Sequence, residues 1–147
     1  MVDAPLSDAL AEIRDEFLEL DEQNRLLLLL DFANELPELP EKYADHPDLL
    51  ERVVECQSPV FLTVEITHGA VTVIASAPKE APTTRGFASI LAQGIEGLSS
   101  EDALSIPNDF PQMLGLGRAV SPLRLSGMSG MLARIKRQVR EKSSPSG

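Results

Sequence analysis

Apolar residues at helical spacing predict two helices in the first third of the chain. The first helix should begin at Ser7, which is a good N-cap. Its apolar side chains recur every three or four residues: Leu6, Leu10, Ile13, Phe17 and Leu20. Asp21 should cap a second helix that runs to about Glu35 and contains five consecutive leucines. This run exceeds one amphipathic stripe, so we interpret it as core covered on more than one side, with a partner-facing stripe as the alternative.

The pattern changes from helical to alternating in the middle of the chain. Every second residue in the range 60–66 is aliphatic, which is typical of a strand with one buried face. His68 and Gly69 supply a turn, and residues 70–74 return as a second strand. Before this hairpin, a short helical turn is expected over residues 48–53. The sequence therefore predicts an antiparallel hairpin after a helical segment.

A third long helix is predicted beyond the hairpin. It should begin near Pro82 or Thr83, because proline suits a first helical turn, and end near Glu96 with Gly97 as its stop. Ser99 and Asp109 are suited to cap two short helices that follow. The hairpin is thus expected to lie between helical segments on both sides.

The end of the chain combines a predicted break with a final helix. Residues 114–117, Leu-Gly-Leu-Gly, predict a flexible break, and the last helical region should open at Ser121 and Pro122. An apolar stripe follows at helical spacing: Met128, Met131, Leu132, Ile135 and Val139. We expect residues 1–142 to form a single domain and residues 143–147 to be a disordered tail.

Composition and charge exclude several classes of function. The 147 residues, 43% of them apolar, suffice for a hydrophobic core. The net charge of −10 argues against binding to nucleic-acid phosphates and against attachment to an anionic membrane surface. The N-terminal residues lack the pattern of a signal peptide, and the longest apolar run, residues 26–30, is too short to cross a bilayer. We therefore expect a cytoplasmic protein whose thiol stays reduced.

The chain contains one cysteine, Cys56, between the helical first third and the hairpin. It cannot form an internal disulfide, so it is either a small buried apolar side chain or a reactive thiol. Gln57, Ser58 and Pro59 follow it and suit a turn better than a strand interior. Glu55 precedes it and interrupts any apolar run. This setting favours a loop that can present the thiol.

Several chemistries lack the residues that they need. One cysteine and two histidines are too few for a structural zinc site, and no phosphate-binding glycine loop or serine nucleophile elbow is present. A thiol hydrolase would pair Cys56 with His46 or His68. Such an enzyme would also need an oxyanion site and a group that orients the histidine, so it remains an alternative.

A thiol that only relays an atom needs fewer supporting groups than the thiol of a hydrolase does. It needs some thiolate, access to a partner's sulfur and protection between transfers. Glu55 would disfavour the Cys56 thiolate, so a nearby cation is required, and Arg85 and Arg124 are the candidates. Because the chain has no second cysteine, a persulfide on Cys56 would meet no internal resolving thiol.

Three blocks of the sequence match one known family when they are taken together. They are residues 55–60 (Glu-Cys-Gln-Ser-Pro-Val), residues 84–91 (Thr-Arg-Gly-Phe-Ala-Ser-Ile-Leu), and the elements Leu-Gly-Leu, Ser-Pro-Leu-Arg, Gly-Met and Met-Leu-Ala-Arg-Ile-Lys within residues 114–136. In order and spacing, from about Leu20 to Arg140, the chain resembles the SufE/CsdE family of sulfur-acceptor proteins in iron–sulfur cluster assembly. The chain departs from the family pattern at residues 78–81, where an acidic segment is usual, and at Pro59 and Phe61, where Gln and Trp are common.

The resemblance implies an α+β fold, a small antiparallel β-sheet packed by helices and similar to IscU-type scaffolds. This fold agrees with the predicted helix–hairpin–helix order. It also implies that Cys56 accepts a persulfide sulfur from a PLP-dependent cysteine desulfurase and passes it to an Fe–S cluster scaffold complex. The chain itself would bind neither PLP nor a cluster.

In this interpretation, Glu55, Gln57 and Ser58 form the supporting cysteine loop, and Arg124, with Arg85 second, stabilises the thiolate. We expect the loop to shelter the thiol partly at rest and to swing out on docking. An alternative function is an activator that docks on the desulfurase and alters its turnover without carrying sulfur.

Overall fold

The structure, a computed structural model, describes residues 7–143. Helices surround a three-stranded sheet in this part of the chain. The helices are α1 (Asp8–Leu18), α2 (Glu22–Asn34), α3 (Glu41–Ala44), α4 (Pro82–Ile95), α5 (Ser100–Leu104), α6 (Phe110–Met113) and α7 (Pro122–Ser143). The strands are β1 (Glu51–Arg52), β2 (Phe61–Thr67) and β3 (Ala70–Ser76), and a 3₁₀ turn covers Pro47–Leu49. The α+β fold predicted from the sequence is confirmed.

The first two helices begin where their capping residues predict. The Ser7 hydroxyl accepts a hydrogen bond from the Leu10 N–H at 3.3 Å, and the Asp21 carboxylate accepts one from the Asn24 N–H at 2.9 Å. The predicted α1 face is confirmed at its three buried members, Leu10, Ile13 and Phe17, whereas Leu6 lies outside the described residues. In α2, Leu29 is fully buried and Leu26 and Leu28 pack partly buried against the core, as expected for a helix covered on more than one side, whereas Leu27 is 53% exposed.

The sheet is antiparallel throughout, with strand order β1-β2-β3. The predicted hairpin is confirmed: Thr67 pairs with Ala70, and the two-residue turn has positive φ at His68 (51°) and Gly69 (80°). The predicted helical turn over residues 48–53 is wrong in its second half. Helical geometry stops after the 3₁₀ turn, and β1 instead pairs with the start of β2, which gives backbone groups of both strands hydrogen-bond partners.

The two faces of the sheet are covered by different elements. One face packs into the main core through Leu62, Val64, Val71, Val73 and Ala75. On the other face, Phe61 and Ile74 pack against Tyr43, Leu50 and Leu39. The alternating pattern predicted a single buried face, but α3 and its flanking residues supply a smaller second cluster that covers the other one.

Helix α4 lies at the centre of the molecule and contacts α1, α2, α7 and β3. Pro82 starts this helix, and Gly97 follows it with φ of 84°, as predicted. The Ser99 hydroxyl caps α5, but the Asp109 side chain makes no capping hydrogen bond to α6. Gly86 allows α4 to lie close to α2, because a Cβ at this position would overlap the Leu29 carbonyl oxygen.

The segment before α7 is not the flexible break that its two glycines predicted. Leu114 and Leu116 are fully buried, and the Gly115 carbonyl accepts a hydrogen bond from Arg25 at 2.9 Å. Arg25 also donates to the Phe17 carbonyl at 2.8 Å, so it ties this segment to α1. The predicted apolar stripe of α7 is buried as expected.

Helix α7 extends to Ser143, and the remaining residues of the predicted tail lie outside the described range. Within residues 7–143, no helix combines the length and the hydropathy that crossing a membrane would require.

The edge of β2 that β1 leaves uncovered is closed by α7. Because β1 has only two residues, Val64 has no strand partner on that side. The Gln138 side-chain oxygen accepts a hydrogen bond from the Val64 N–H at 2.9 Å, and Lys142 donates to the Val64 carbonyl at 2.5 Å. Side chains of α7 thus satisfy both backbone groups and hold the helix against the sheet.

Candidate functional site: the Cys56 loop

Residues 53–60 connect β1 to β2 and are called the Cys56 loop here. Val53 and Val60 are fully buried and anchor its two ends, and the Val53 N–H donates to the Val60 carbonyl at 2.9 Å. Within the loop, the Cys56 N–H donates to the Val53 carbonyl at 3.1 Å, and the Val60 N–H donates to the Ser58 carbonyl at 2.8 Å. These bonds make the loop a compact turn that closes on itself.

The turn directs the Cys56 side chain inward while its neighbours stay outside. Cys56 is only 5% exposed, whereas Val54, Glu55 and Gln57 are all exposed. The thiol packs against the first turns of α7, where Gly127 provides the space. A Cβ at residue 127 would lie 2.9 Å from Sγ, closer than real Cβ contacts allow. Glycine is therefore the residue that lets the helix backbone receive the thiol.

A small cavity of about 20 Å³ lies beside the thiol. Its lining comes from the Cys56 loop, from α4 and from the start of α7: Glu55, Cys56, Gln57, Thr84, Leu123, Arg124 and Gly127. A space of this size holds about one water-sized group. The thiol therefore has room beside it for one more atom, but not for a larger substrate.

Burial sets the protonation state of the Cys56 thiol. Loss of solvent raises its pKa from the ordinary value of 9.0 to about 11, and the negative charge of Glu55 adds to the rise. The positive charges of Arg124 and Arg134 oppose this rise in pKa. At neutral pH the sheltered group is consequently a thiol, which is a poor nucleophile compared with a thiolate.

Arg124 is brought to the site by the start of α7. Its backbone N–H donates to the Ser121 hydroxyl at 3.2 Å, and its guanidinium reaches the Thr84 hydroxyl of α4 at 3.5 Å. Arg124 lines the cavity beside Cys56, and its charge acts on the thiol. The sequence placed this arginine near the thiol, and the structure brings the two together.

Arg85, the other predicted cation, has a different position. Its guanidinium donates to the Ala33 carbonyl at 2.9 Å and to the Ala77 carbonyl at 2.6 Å. It therefore joins the end of α2 to the loop after β3. Arg85 neither lines the Cys56 cavity nor acts among the charges that shift the thiol pKa. The geometry does not support its predicted role beside the thiolate.

The supporting loop residues make three different contributions. Gln57 lines the cavity, and the Ser58 carbonyl helps to close the turn. The pKa of the Glu55 carboxyl is lowered first by a hydrogen bond from its own backbone N–H and then by hydrogen bonds from Arg134 of α7. Arg134 is a residue that the sequence reasoning missed as part of the site, although it lies in one of the matching blocks. No local sequence pattern indicates the pairing of Arg134 with Glu55, because the two residues are 79 positions apart in the chain.

Neither histidine lies beside the thiol. His46 and His68 are both exposed, and neither lines the Cys56 cavity. Among residues 7–143, no three His, Cys, Asp or Glu side chains are grouped so that they could hold a metal ion. The arrangement around Cys56 is thus a sheltered thiol with one cavity-lining cation.

The chain matches one protein family over most of its length. Residues 11–139 match the model of the SufE family, described as an Fe–S metabolism associated domain. An uncharacterized SufE-like protein of Mycobacterium tuberculosis strain H37Rv is 53% identical over 94% of this chain and 96% of its own length. An uncharacterized SufE-like protein of Synechocystis sp. is 27% identical over 86% of this chain and 77% of its own.

A solved structure has the same fold. The solution structure of a hypothetical protein from Thermus thermophilus superposes with a TM-score of 0.82 at 35% identity, covering 94% of this chain and 98% of that one. Family match, sequence identity and fold lead to one conclusion: the chain belongs to the SufE family, whose domain is associated with Fe–S metabolism.

Proposed function

We propose that the protein is a persulfide sulfur carrier. Cys56 accepts sulfur from a PLP-dependent cysteine desulfurase and hands it to an Fe–S cluster scaffold complex in the cytoplasm. The observation that carries this proposal is the sheltered thiol beside a cavity of about 20 Å³. That space suits the single extra sulfur atom of a persulfide and would protect it from water and oxidants.

The transfer is a thiol–disulfide type of exchange and needs no external oxidant. The Cys56 sulfur, as thiolate, attacks the terminal sulfur of a persulfide on the desulfurase. A new S–S bond forms on Cys56 while the S–S bond of the donor breaks. The donor cysteine leaves as a thiolate and takes up the proton that Cys56 lost. The number of sulfur atoms and electrons is unchanged overall.

The resting geometry suits storage better than attack. A thiol whose pKa is raised to about 11 carries little thiolate at neutral pH, and it is only 5% exposed. Transfer therefore requires the Cys56 loop to leave its place on α7 when the desulfurase docks. Exposure of the thiol to water or to a cation of the partner would lower its pKa at the moment when the thiolate is needed.

Exposed apolar residues beside the site support a protein partner. Val54 of the Cys56 loop is 67% exposed, and Leu123 at the start of α7 is 52% exposed. Leu123 also lines the thiol cavity. Apolar side chains of this size next to a buried reactive group are suited to burial against a docking protein.

The single cysteine adds a second argument. A persulfide is consumed when a nearby thiol attacks it, and this chain offers no other cysteine. Sulfur bound to Cys56 is therefore released only to a thiol that another molecule brings.

The test is to mix the protein with its desulfurase and free cysteine and then to measure the intact mass. One added sulfur atom is expected on the wild type and none on Cys56→Ser. Absence of sulfur on the wild type, or its persistence on Cys56→Ser, contradicts the carrier function. If Cys56→Ser stimulates desulfurase turnover as well as the wild type does with an external reductant present, the protein is an activator instead.

A further inference from the structure

Arg134 joins the Cys56 loop to the sheet through two carboxylates. Its Nε and Nη2 atoms lie 3.0 Å and 2.9 Å from Oε1 of Glu55, and its Nη1 atom lies 2.5 Å from Oε2 of Glu51. The Arg134 and Glu51 side chains are 21% and 25% exposed, so this pair is partly withdrawn from water. The Glu55 side chain is 42% exposed, so its pair with Arg134 lies nearer the surface than the Arg134–Glu51 pair.

The two carboxylates differ in how firmly they are held. Glu51 belongs to β1, pairs with Leu62 across the sheet, and accepts further hydrogen bonds from Gln138 at 2.9 Å and from Arg137. The Glu55 carboxylate is bound by Arg134 alone among the side-chain contacts described. Arg134 therefore has a fixed anchor on one side and a loop residue on the other.

The surface of α7 is shaped to receive Glu55. A Cβ at Gly130 would lie 2.8 Å from the Glu55 Cβ, so the Glu55 side chain lies directly on the helix backbone. Gly130 follows Gly127, which receives the Cys56 thiol, by less than one helical turn. Glu55 thus lies on Gly130, and the next loop residue, Cys56, lies on Gly127 of the same helix. Arg134 holds Glu55 in place.

We propose that Arg134 is a positioning residue that latches the Cys56 loop closed through Glu55. The proposal rests on the carrier function above, because only a loop that opens needs a latch. In the closed state the ion pair keeps Glu55 on Gly130 and the adjacent thiol against Gly127. Opening the loop breaks the Arg134–Glu55 pair, while Arg134 keeps its bond to Glu51.

The charge of Arg134 and the latch predict opposite effects of Arg134→Gln on the alkylation rate of Cys56, so this rate distinguishes them. Arg134 is one of two positive charges that lower the pKa of Cys56. If charge were its only effect, Arg134→Gln would leave less thiolate and slow alkylation of Cys56 at fixed pH. The latch predicts faster alkylation, because the loop opens more often.

The experiment measures the rate at which iodoacetamide alkylates Cys56 in the free, full-length chain. Arg134→Gln is expected to react several-fold faster than the wild type, the size that loss of a partly exposed ion pair gives. Arg134→Lys, which keeps the charge, should restore part of the protection. Arg137→Gln is the matched control, because Arg137 contacts Glu51 but not Glu55 in the contacts described, and it should react like the wild type.

Hydrogen exchange supplies a readout that does not depend on the thiol pKa. The Cys56 amide, which donates to Val53, should exchange faster in Arg134→Gln and in the isosteric Glu55→Gln, with the amides of β3 unchanged. Glu55→Gln also serves if Arg134→Gln does not fold. Alkylation that is unchanged or slower in folded Arg134→Gln, or equally fast in Arg137→Gln, overturns the latch.

Failure of the latch and failure of the carrier function give different results. Alkylation and hydrogen exchange need no desulfurase, so they test the latch even if Cys56 never receives sulfur. If the wild type takes up sulfur but Arg134→Gln leaves Cys56 as protected as before, the carrier function stands and the latch is wrong. If the latch variants open the loop but no sulfur reaches the wild type, the carrier function is wrong.

Discussion

Gly127 and Cys56 lie so close that a Cβ on residue 127 would stand 2.9 Å from the sulfur atom. The backbone of α7 is therefore one wall of the thiol site, and the absence of a side chain at this position leaves room for Sγ. The relationship couples two elements that are far apart in the chain. It also suggests how the sheltered position can be disturbed without touching the thiol itself.

Gly127→Ala should displace the Cys56 loop while leaving the fold intact. Alanine favours the helix by about 1 kcal/mol over glycine, which offsets part of the cost of overpacking, about 1–3 kcal/mol. We expect the free energy of unfolding to change little and alkylation of Cys56 to become several times faster. Iodoacetamide kinetics and chemical denaturation measure the two effects.

Ser126→Ala is the control for this substitution, because Ser126 is exposed and lies next to Gly127 on α7. It should leave alkylation unchanged. If Gly127→Ala reacts at the wild-type rate, the loop accommodates the methyl group and the proposed close packing does not govern access.

The reactivity of Cys56 should depend on pH as that of a buried thiol does. Because its pKa is raised to about 11, the thiolate fraction and the alkylation rate should keep rising well above pH 9. Arg124→Gln removes a charge that lowers this pKa, so at a fixed pH near 9 the rate should fall several-fold. Rates measured across the pH range give the apparent pKa directly.

Arg118→Gln is the matched variant for Arg124→Gln. Arg118 is exposed and pairs with Glu22 at 3.6 Å, and it is not among the charges that act on the thiol. It should leave the pH profile unchanged. A wild-type profile with a midpoint near the ordinary cysteine pKa of 9.0 would show that the thiol spends most of its time exposed.

Arg85 should contribute to stability rather than to thiol chemistry. Arg85→Gln removes the donors for the Ala33 and Ala77 carbonyls, which should lower the free energy of unfolding by about 1–3 kcal/mol. Thermal or chemical denaturation checks the loss, and the apparent pKa of Cys56 should not move. Exposed Lys79→Gln serves as the control and should change neither quantity. A shift in the thiol pKa as large as that of Arg124→Gln would restore the predicted thiolate role.

Gln138 should stabilise the fold, because it closes the edge of β2 at the point where β1 ends and α7 covers the sheet. Gln138→Leu keeps a similar shape but leaves the Val64 N–H without its acceptor, which should cost about 1–3 kcal/mol. Hydrogen exchange at the Val64 amide should accelerate with the loss of stability. Glu141→Gln, an exposed change on the same helix, is the control. Unchanged exchange at Val64 would mean that another group closes this edge.

Most helices and the hairpin could be predicted from the sequence because their determinants are local. The hydroxyl of Ser7 and the carboxylate of Asp21 act on amides three residues away, and the turn at His68 and Gly69 joins neighbouring strands. Apolar periodicity likewise depends only on spacing along one element. These interactions need no knowledge of what packs against them.

Predictions were wrong where a distant partner decides the conformation. Glu51 is strand rather than helix because β2 pairs with it, and the Leu-Gly-Leu segment is buried because its leucines enter the core. Its glycine carbonyl is bound by Arg25, from 90 positions earlier. The residues that are neighbours in the sequence do not indicate such distant partners.

The sequence by itself determined that the chain has one thiol, that it lies in a turn before a hairpin, and which family the chain resembles. Only the tertiary structure decided that the thiol is buried against Gly127, that Arg124 rather than Arg85 lines its cavity, and that Arg134 binds Glu55. The reason is physical. A turn forms through contacts within a few residues, whereas burial and charge at Cys56 depend on where α4 and α7 pack in space.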